Sequence, residues 1–152
     1  MANLVNTMQT EWLSRRNLVI TSAFLGLFLV YLFQRVDYLG VAAALFGLPA
    51  PSATSSFVVN RMSRLIINDL LCVTLVSTFF QDERFTRLAW WVFLGELLVL
   101  LPLYLVLKLS AEGPTELSSP VFQPLHRMIV NPLLMIILIA GMYYQRRKES
   151  IP

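Results

Sequence analysis

Charge is the scarcest ingredient of this chain. Only 14% of its residues are Asp, Glu, Lys or Arg, against about 25% in an ordinary soluble protein, and 57% are hydrophobic. A domain of 152 residues hides only about two-thirds of its potential surface on folding. Too few charges remain to shield the rest from water, which excludes a water-soluble globular domain and leaves a polytopic membrane protein. Cysteine is nearly as scarce: Cys72 stands alone, so an intramolecular disulfide, a thiolate zinc cluster and an iron–sulfur site are all excluded. The single histidine, His126, has no ligand-type spacing around it, and neither a metal site nor a cofactor is expected.

Also lacking are a glycine-rich nucleotide loop, a dinucleotide fingerprint, a zincin motif and a serine elbow. No catalytic residue is assigned on these grounds. The net charge of +3 comes from residues placed mostly between apolar runs, and no basic patch with interleaved aromatics is present. Nucleic acid is therefore excluded as a partner. The partners left are the lipid bilayer and another integral-membrane protein.

What the chain does have is long apolar runs. They predict an all-α, polytopic membrane protein, a single integral-membrane domain over 1–152 with four transmembrane helices at about 18–33, 59–80, 88–107 and 125–144. The first is short, about 24 Å, with Arg15 and Arg16 at its edge to snorkel. Bulky Tyr31-Leu32-Phe33 followed by Gln34-Arg35 offers no cleavage site, so a retained signal-anchor helix is expected, preceded by a short cytoplasmic tail. Between the first two spans, 34–58 is a loop. Its apolar stretch 39–48 is too short to cross, ends at Pro49 and Pro51, and reads as an interfacial or re-entrant helix or as a cap packed over the bundle. Pro102 is expected to loosen the third helix, and Pro132 to kink the fourth mildly.

With both ends cytoplasmic, seven of the twelve Lys and Arg residues lie inside (Arg15, Arg16, Arg84, Arg87, Arg146, Arg147 and Lys148) and five outside (Arg35, Arg61, Arg64, Lys108 and Arg127). The contiguous basic tail beside the last span favours that orientation.

One motif recurs. Arg64-Leu65-Ile66-Ile67-Asn68-Asp69 is echoed by Arg127-Met128-Ile129-Val130-Asn131-Pro132. Each copy opens an apolar run, and each sets an asparagine one helical turn after an arginine on one face. Phe24-Leu25-Gly26 likewise echoes Phe93-Leu94-Gly95, which raises two related helical hairpins as the alternative to a likeness of composition. Polar groups at a bilayer boundary are costly without partners. Arg64, Asn68 and Asp69, mirrored by His126, Arg127 and Asn131, therefore form the candidate cluster. Asp69, roughly 7 Å deeper than Arg64, calls for a cation from Arg61, Arg64 or Arg127. Glu96 is the deepest ionisable group. Beside Gly95, which would permit close helix approach, it is expected to face another helix. Cys72, about 12 Å below Arg64, reads as buried packing, since a nucleophilic thiol needs water.

Two roles fit the cluster: recognition of a partner, or fold-specifying contacts between helices at about 0.6 kcal/mol each. The leading expectation is an accessory, partner-binding membrane protein. The alternative is a small transporter or channel component, with Glu96 and Asp69 lining a hydrated path. A membrane enzyme using His126, Arg127 and Cys72 comes third.

The residues that stand out, namely Arg64 with Leu65, Asn68, Leu70 and Leu71, and Arg127, Pro132, Leu133, Leu134, Tyr143, Tyr144 and Gln145 within 122–145, give the chain a familiar outline. The pattern resembles the small exosortase-system-associated membrane proteins of Bacteroidota, particularly those associated with exosortase F. Arg35 with Tyr38 and Phe46 resembles that family's element after the first helix, and the likeness extends from about Leu27 onward. Asp69 and Asn131 depart from its pattern. The resemblance implies a non-enzymatic partner of an exosortase, or of its substrate, within protein sorting at the bacterial envelope. Arg64, Asn68 and Arg127 match its polar positions.

Overall fold

A computed structural model describes residues 2–115, 119–120 and 122–149. Helices form 82% of the chain, and no strand occurs among the described residues. Three helical stretches are long and apolar enough to cross a membrane, or up to four if one sharply bent pair counts as a single span.

α1 (Ala2–Leu32) runs helical almost from its start, so the expected tail before the first span is part of the same helix. Its apolar part, Ser14–Leu32, is little covered by the rest of the chain. Leu18, Phe24, Leu25 and Phe28 all stand exposed, as lipid-facing side chains would. The contact it does make uses small residues: Ala23 is buried, and Gly26 lies so near α3 that an added Cβ would meet Leu71 Cδ1 at 3.0 Å. Close backbone approach at small residues is how helices associate where the solvent is as apolar as they are.

A turn at Phe33–Arg35 leads to α2 (Tyr38–Leu45). Asp37 caps it by accepting from the Gly40 N–H at 3.1 Å. Gly47, at φ 64°, closes it in a Schellman turn, with the Leu48 N–H donating to the Ala43 carbonyl at 2.8 Å. Only Ala43 is buried in α2, while Val41, Leu45 and Phe46 are exposed. A helix this short and this apolar on its outer side suits a bilayer surface.

α3 (Ala53–Phe80) is the central helix. It starts earlier than the hydropathy edge at Val59 because Ser52 caps it, accepting from the Ser55 N–H at 3.1 Å. Gln81, left-handed at φ 54°, ends it. Asp82 then caps α4 (Glu83–Gly95), accepting from the Arg84 N–H at 2.8 Å. α4 passes through one π-helical turn, Glu96–Leu100, into α5 (Leu101–Ala111). The Leu101 N–H reaches back to the Glu96 carbonyl across the widened turn, which sits one step before Pro102, where the ring crowds the preceding carbonyls. Gly95 has open space around it and is exposed, so it does not mediate the close approach expected of it.

α6 (Gln123–Val130) and α7 (Leu133–Glu149) were expected as one gently kinked span. They meet instead at 69°. Proline disfavours helical backbone in the residue before it, and Asn131 is accordingly extended (φ −109°, ψ 140°). Of the connection before α6, residues 116–118 and 121 lie outside the described residues.

The core gathers around α3: Leu65, Cys72, Val73, Val76 and Phe80 pack against Phe93, Leu101 and Tyr104, with Ile129, Met135 and Met142 completing it. At one end Arg146 Nη1 donates to the Phe80 carbonyl at 3.4 Å, which tethers α7 to the C-terminus of α3.

Candidate polar cleft at one helix-bundle end

α3 carries its polar groups as a stripe. Asn60, Arg61, Arg64, Asn68 and Asp69 repeat at helical spacing on its inner face, all buried, between Phe57 above and Cys72 below. Burying so many polar groups is costly unless each finds a neighbour. The structure supplies neighbours in three separate places.

The first is a latch. Asn60 Oδ1 accepts from the Tyr38 N–H at 2.9 Å, and Asn60 Nδ2 donates to Asp37 Oδ1 at 2.9 Å. One side chain thus fastens the start of α2 to α3. The amide from Asn60, followed by the Gly40 N–H, holds the Asp37 carboxyl below its ordinary range. Beside this latch the Arg64 guanidinium lies 6.0 Å from the Tyr38 ring centroid, and that of Arg61 lies 5.2 Å from the Phe57 ring.

The second is a cleft of about 350 Å³. Arg64 and Asn68 form its floor, Tyr31 of α1 and Gln34 of the turn after it one wall, and Asn131 with Leu133 at the α6–α7 break the other. Two residues of the first Arg-x-x-x-Asn turn and the asparagine of the second therefore share one space. Arg127 does not join them: it is exposed on α6. His126 is occupied elsewhere, with its Nδ1 2.8 Å from the Tyr104 hydroxyl, which ties α6 to α5.

The third lies deeper. Asp69 and Glu96 interact through their side chains, where a cation had been expected opposite Asp69 and a neighbouring helix opposite Glu96. Asp69 Oδ2 and Glu96 Oε1 are buried with no hydrogen-bond partner among the described residues. Glu96 opens the π-helical turn, and the wider turn places it against α3. Cys72 is buried one turn beyond Asn68, as expected of a packing residue.

Asn60 and Lys108 were not singled out from sequence, and Arg61 was named only as a possible cation for Asp69. Asn60 and Arg61 continue the stripe of Arg64 and Asn68 upward at helical spacing, and that periodicity would have found them. Lys108, fully buried, is paired with Glu112, a four-residue spacing that is itself a signal. Glu112 Oε1 also accepts from the Ser119 N–H at 3.0 Å, and the lysine followed by Ser119 holds its carboxyl down to about 2.

No group of three or more metal-ligating side chains occurs among the described residues. The apolar helices fit a multi-pass membrane protein, with a polar cleft where the end of α1 meets the middle of α3. No family model, curated protein or solved structure matches the chain.

Proposed function

We propose that this chain is an accessory integral-membrane protein of an exosortase-type protein-sorting system, seated in the bacterial inner membrane with both termini cytoplasmic. In this reading the cleft at Arg64, Asn68 and Asn131 opens near the outer boundary and receives a polar element of a membrane partner, an exosortase or its substrate. One observation supports it above the others: a guanidinium and two amides, drawn from look-alike turns far apart in sequence, line the same half-open space.

A photo-crosslinking residue at Asn131, in native membranes, tests the reading. The expected result is one discrete partner adduct, lost in Arg64→Ala and absent when the residue is placed at Trp91 on the exposed side of α4. Equal adducts from both positions contradict it.

The contact between Asp69 and Glu96 favours a second reading, a transporter or channel component with these carboxyls in a hydrated path. Neither residue lines the cleft described above. Proton or cation flux into vesicles carrying the purified chain, abolished by Glu96→Gln, would favour this reading over the first.

A further inference from the structure

The polar cleft continues into an apolar one. A second cavity, of about 440 Å³, is lined by Ile20 and Phe24 of α1, Leu75 and Phe79 of α3, and Ile139 and Tyr143 of α7. Ile136 lines both cavities. On each wall the residues follow in order: Tyr31, Leu27, Phe24 and Ile20 descend α1, while Leu133, Ile136, Ile139 and Tyr143 descend α7. The floor runs down α3 from Arg64 and Asn68 to Leu75 and Phe79 at spacings of four, seven and four, which is one helix face. The two cavities meet at Ile136 and line up as one groove, and the fifteen helical steps of α3 from Arg64 to Phe79 give it a length of about 22 Å. Its rim residues Phe24, Phe79, Ile136 and Tyr143 are exposed, so it opens sideways into the surroundings of the helices.

A groove open to a bilayer is in contact with lipid at every moment, and its occupant is selected from that mixture by charge. Here one cation and three amide groups, those of Gln34, Asn68 and Asn131, cluster at the polar end, and apolar side chains fill the other. α7 begins at Leu133 on the cleft wall, adding the positive end of its dipole there. A phosphodiester offers acceptors only, which suits guanidinium and amide donors. An acyl chain suits the length and the lining of the rest. We propose that the groove holds one anionic phospholipid, its phosphate against Arg64, Asn68 and Asn131 and an acyl chain over Leu75, Phe79 and Ile139. The inference takes the cleft named above as its site and says what fills it in the chain alone, with no partner present, so it does not require the partner reading.

The full chain in mild detergent, analysed by native mass spectrometry after exchange with equal phosphatidylglycerol and phosphatidylethanolamine, tests it. The expected result is one retained lipid per chain, with phosphatidylglycerol preferred at least tenfold. Arg64→Gln should abolish the preference, and Arg64→Lys should keep most of it, which separates loss of charge from loss of fold. Ala140→Trp, filling the apolar end, should reduce retention of both lipids equally. Glycerol phosphate, which has the head but no chain, should not compete. Equal retention of the two lipids by the unmodified chain, or competition by glycerol phosphate alone, overturns the proposal, as does a stoichiometric polypeptide in place of lipid. Lipid selectivity lost while the Asn131 crosslink persists refutes this inference alone. A retained lipid with no partner adduct refutes the partner reading and leaves this one supported.

Discussion

Replacing Asn60 by Ala should release α2 from the bundle without unfolding it. Asn60 is 6% exposed and makes both contacts of the latch, one to the Tyr38 N–H and one to Asp37. The bond to Tyr38 contributes about 1 kcal/mol if water replaces the lost partner. If the half-buried N–H stays dry, the cost rises to about 3 kcal/mol, the desolvation penalty of an unmet donor. These limits correspond to roughly fivefold and roughly 150-fold increases in local opening. Hydrogen exchange at the Tyr38 amide reads that change directly, while amides of α3 such as Val76 serve as controls. The Asp37 carboxyl, now held low chiefly by Asn60, should move back toward its ordinary range in the variant. In the unmodified chain its contribution is present above about pH 3.9 and lost as pH falls, so Asn60→Ala should flatten the acid dependence of Tyr38 exchange. Less than a twofold change at Tyr38, or equal loss of protection at Val76, would refute the latch as a local fastening.

Gly26→Leu should destabilise the α1–α3 contact by about 1–3 kcal/mol, because the new side chain must displace Leu71. Gly95→Ala, with open space around it, should instead stabilise by roughly 0.5–1 kcal/mol. Unfolding in mixed detergent reads both. The contact between Glu112 and Lys108 should give acid-sensitive protection at Ser119. The carboxyl is held down to about 2, so its contribution is whole above about pH 4.3 and disappears as pH falls toward 2. Ser119 exchange, corrected for intrinsic rate, should follow that window in the unmodified chain and not in Glu112→Gln. Pro132→Ala should let α6 and α7 straighten. Spin labels at Leu125 and Ile137 should then separate from about 15 Å to about 18 Å, and an unchanged distance would assign the bend to packing.

Much of this architecture is local, and local features are readable. The caps of α2, α3 and α4 are Asp37, Ser52 and Asp82, residue types that favour those positions, and Gly47 and the Asn131–Pro132 pair mark breaks by their backbone preferences. Arg64 and Asn68 stood out because their spacing recurs, and the cleft does contain both. Partners across helices were less accessible. Asp69 on α3 invited a cation by ordinary electrostatics, yet a π-helical turn, invisible to hydropathy, brings Glu96 there. The equivalence of the two repeats also stops short: Pro132 follows Asn131 where Asp69 follows Asn68, so the second turn breaks at 69° and Arg127 is left outside. Gly26 and Gly95 occupy matching positions in the other repeat, but only Gly26 meets a neighbouring helix. Which of two similar glycines faces a partner depends on helix rotation, and rotation is set by tertiary packing.

The account depends above all on the break between α6 and α7 facing Arg64 and Asn68, midway along α3, across one cleft. Cysteines at Tyr31 and Leu133, in a Cys72→Ala background, place one thiol on each wall. Treated in native membranes with a flexible bis-maleimide, this pair should crosslink within a single chain, while Leu98 paired with Leu133 should not. Absence of the Tyr31–Leu133 product, with both thiols shown to react singly, would contradict the shared cleft.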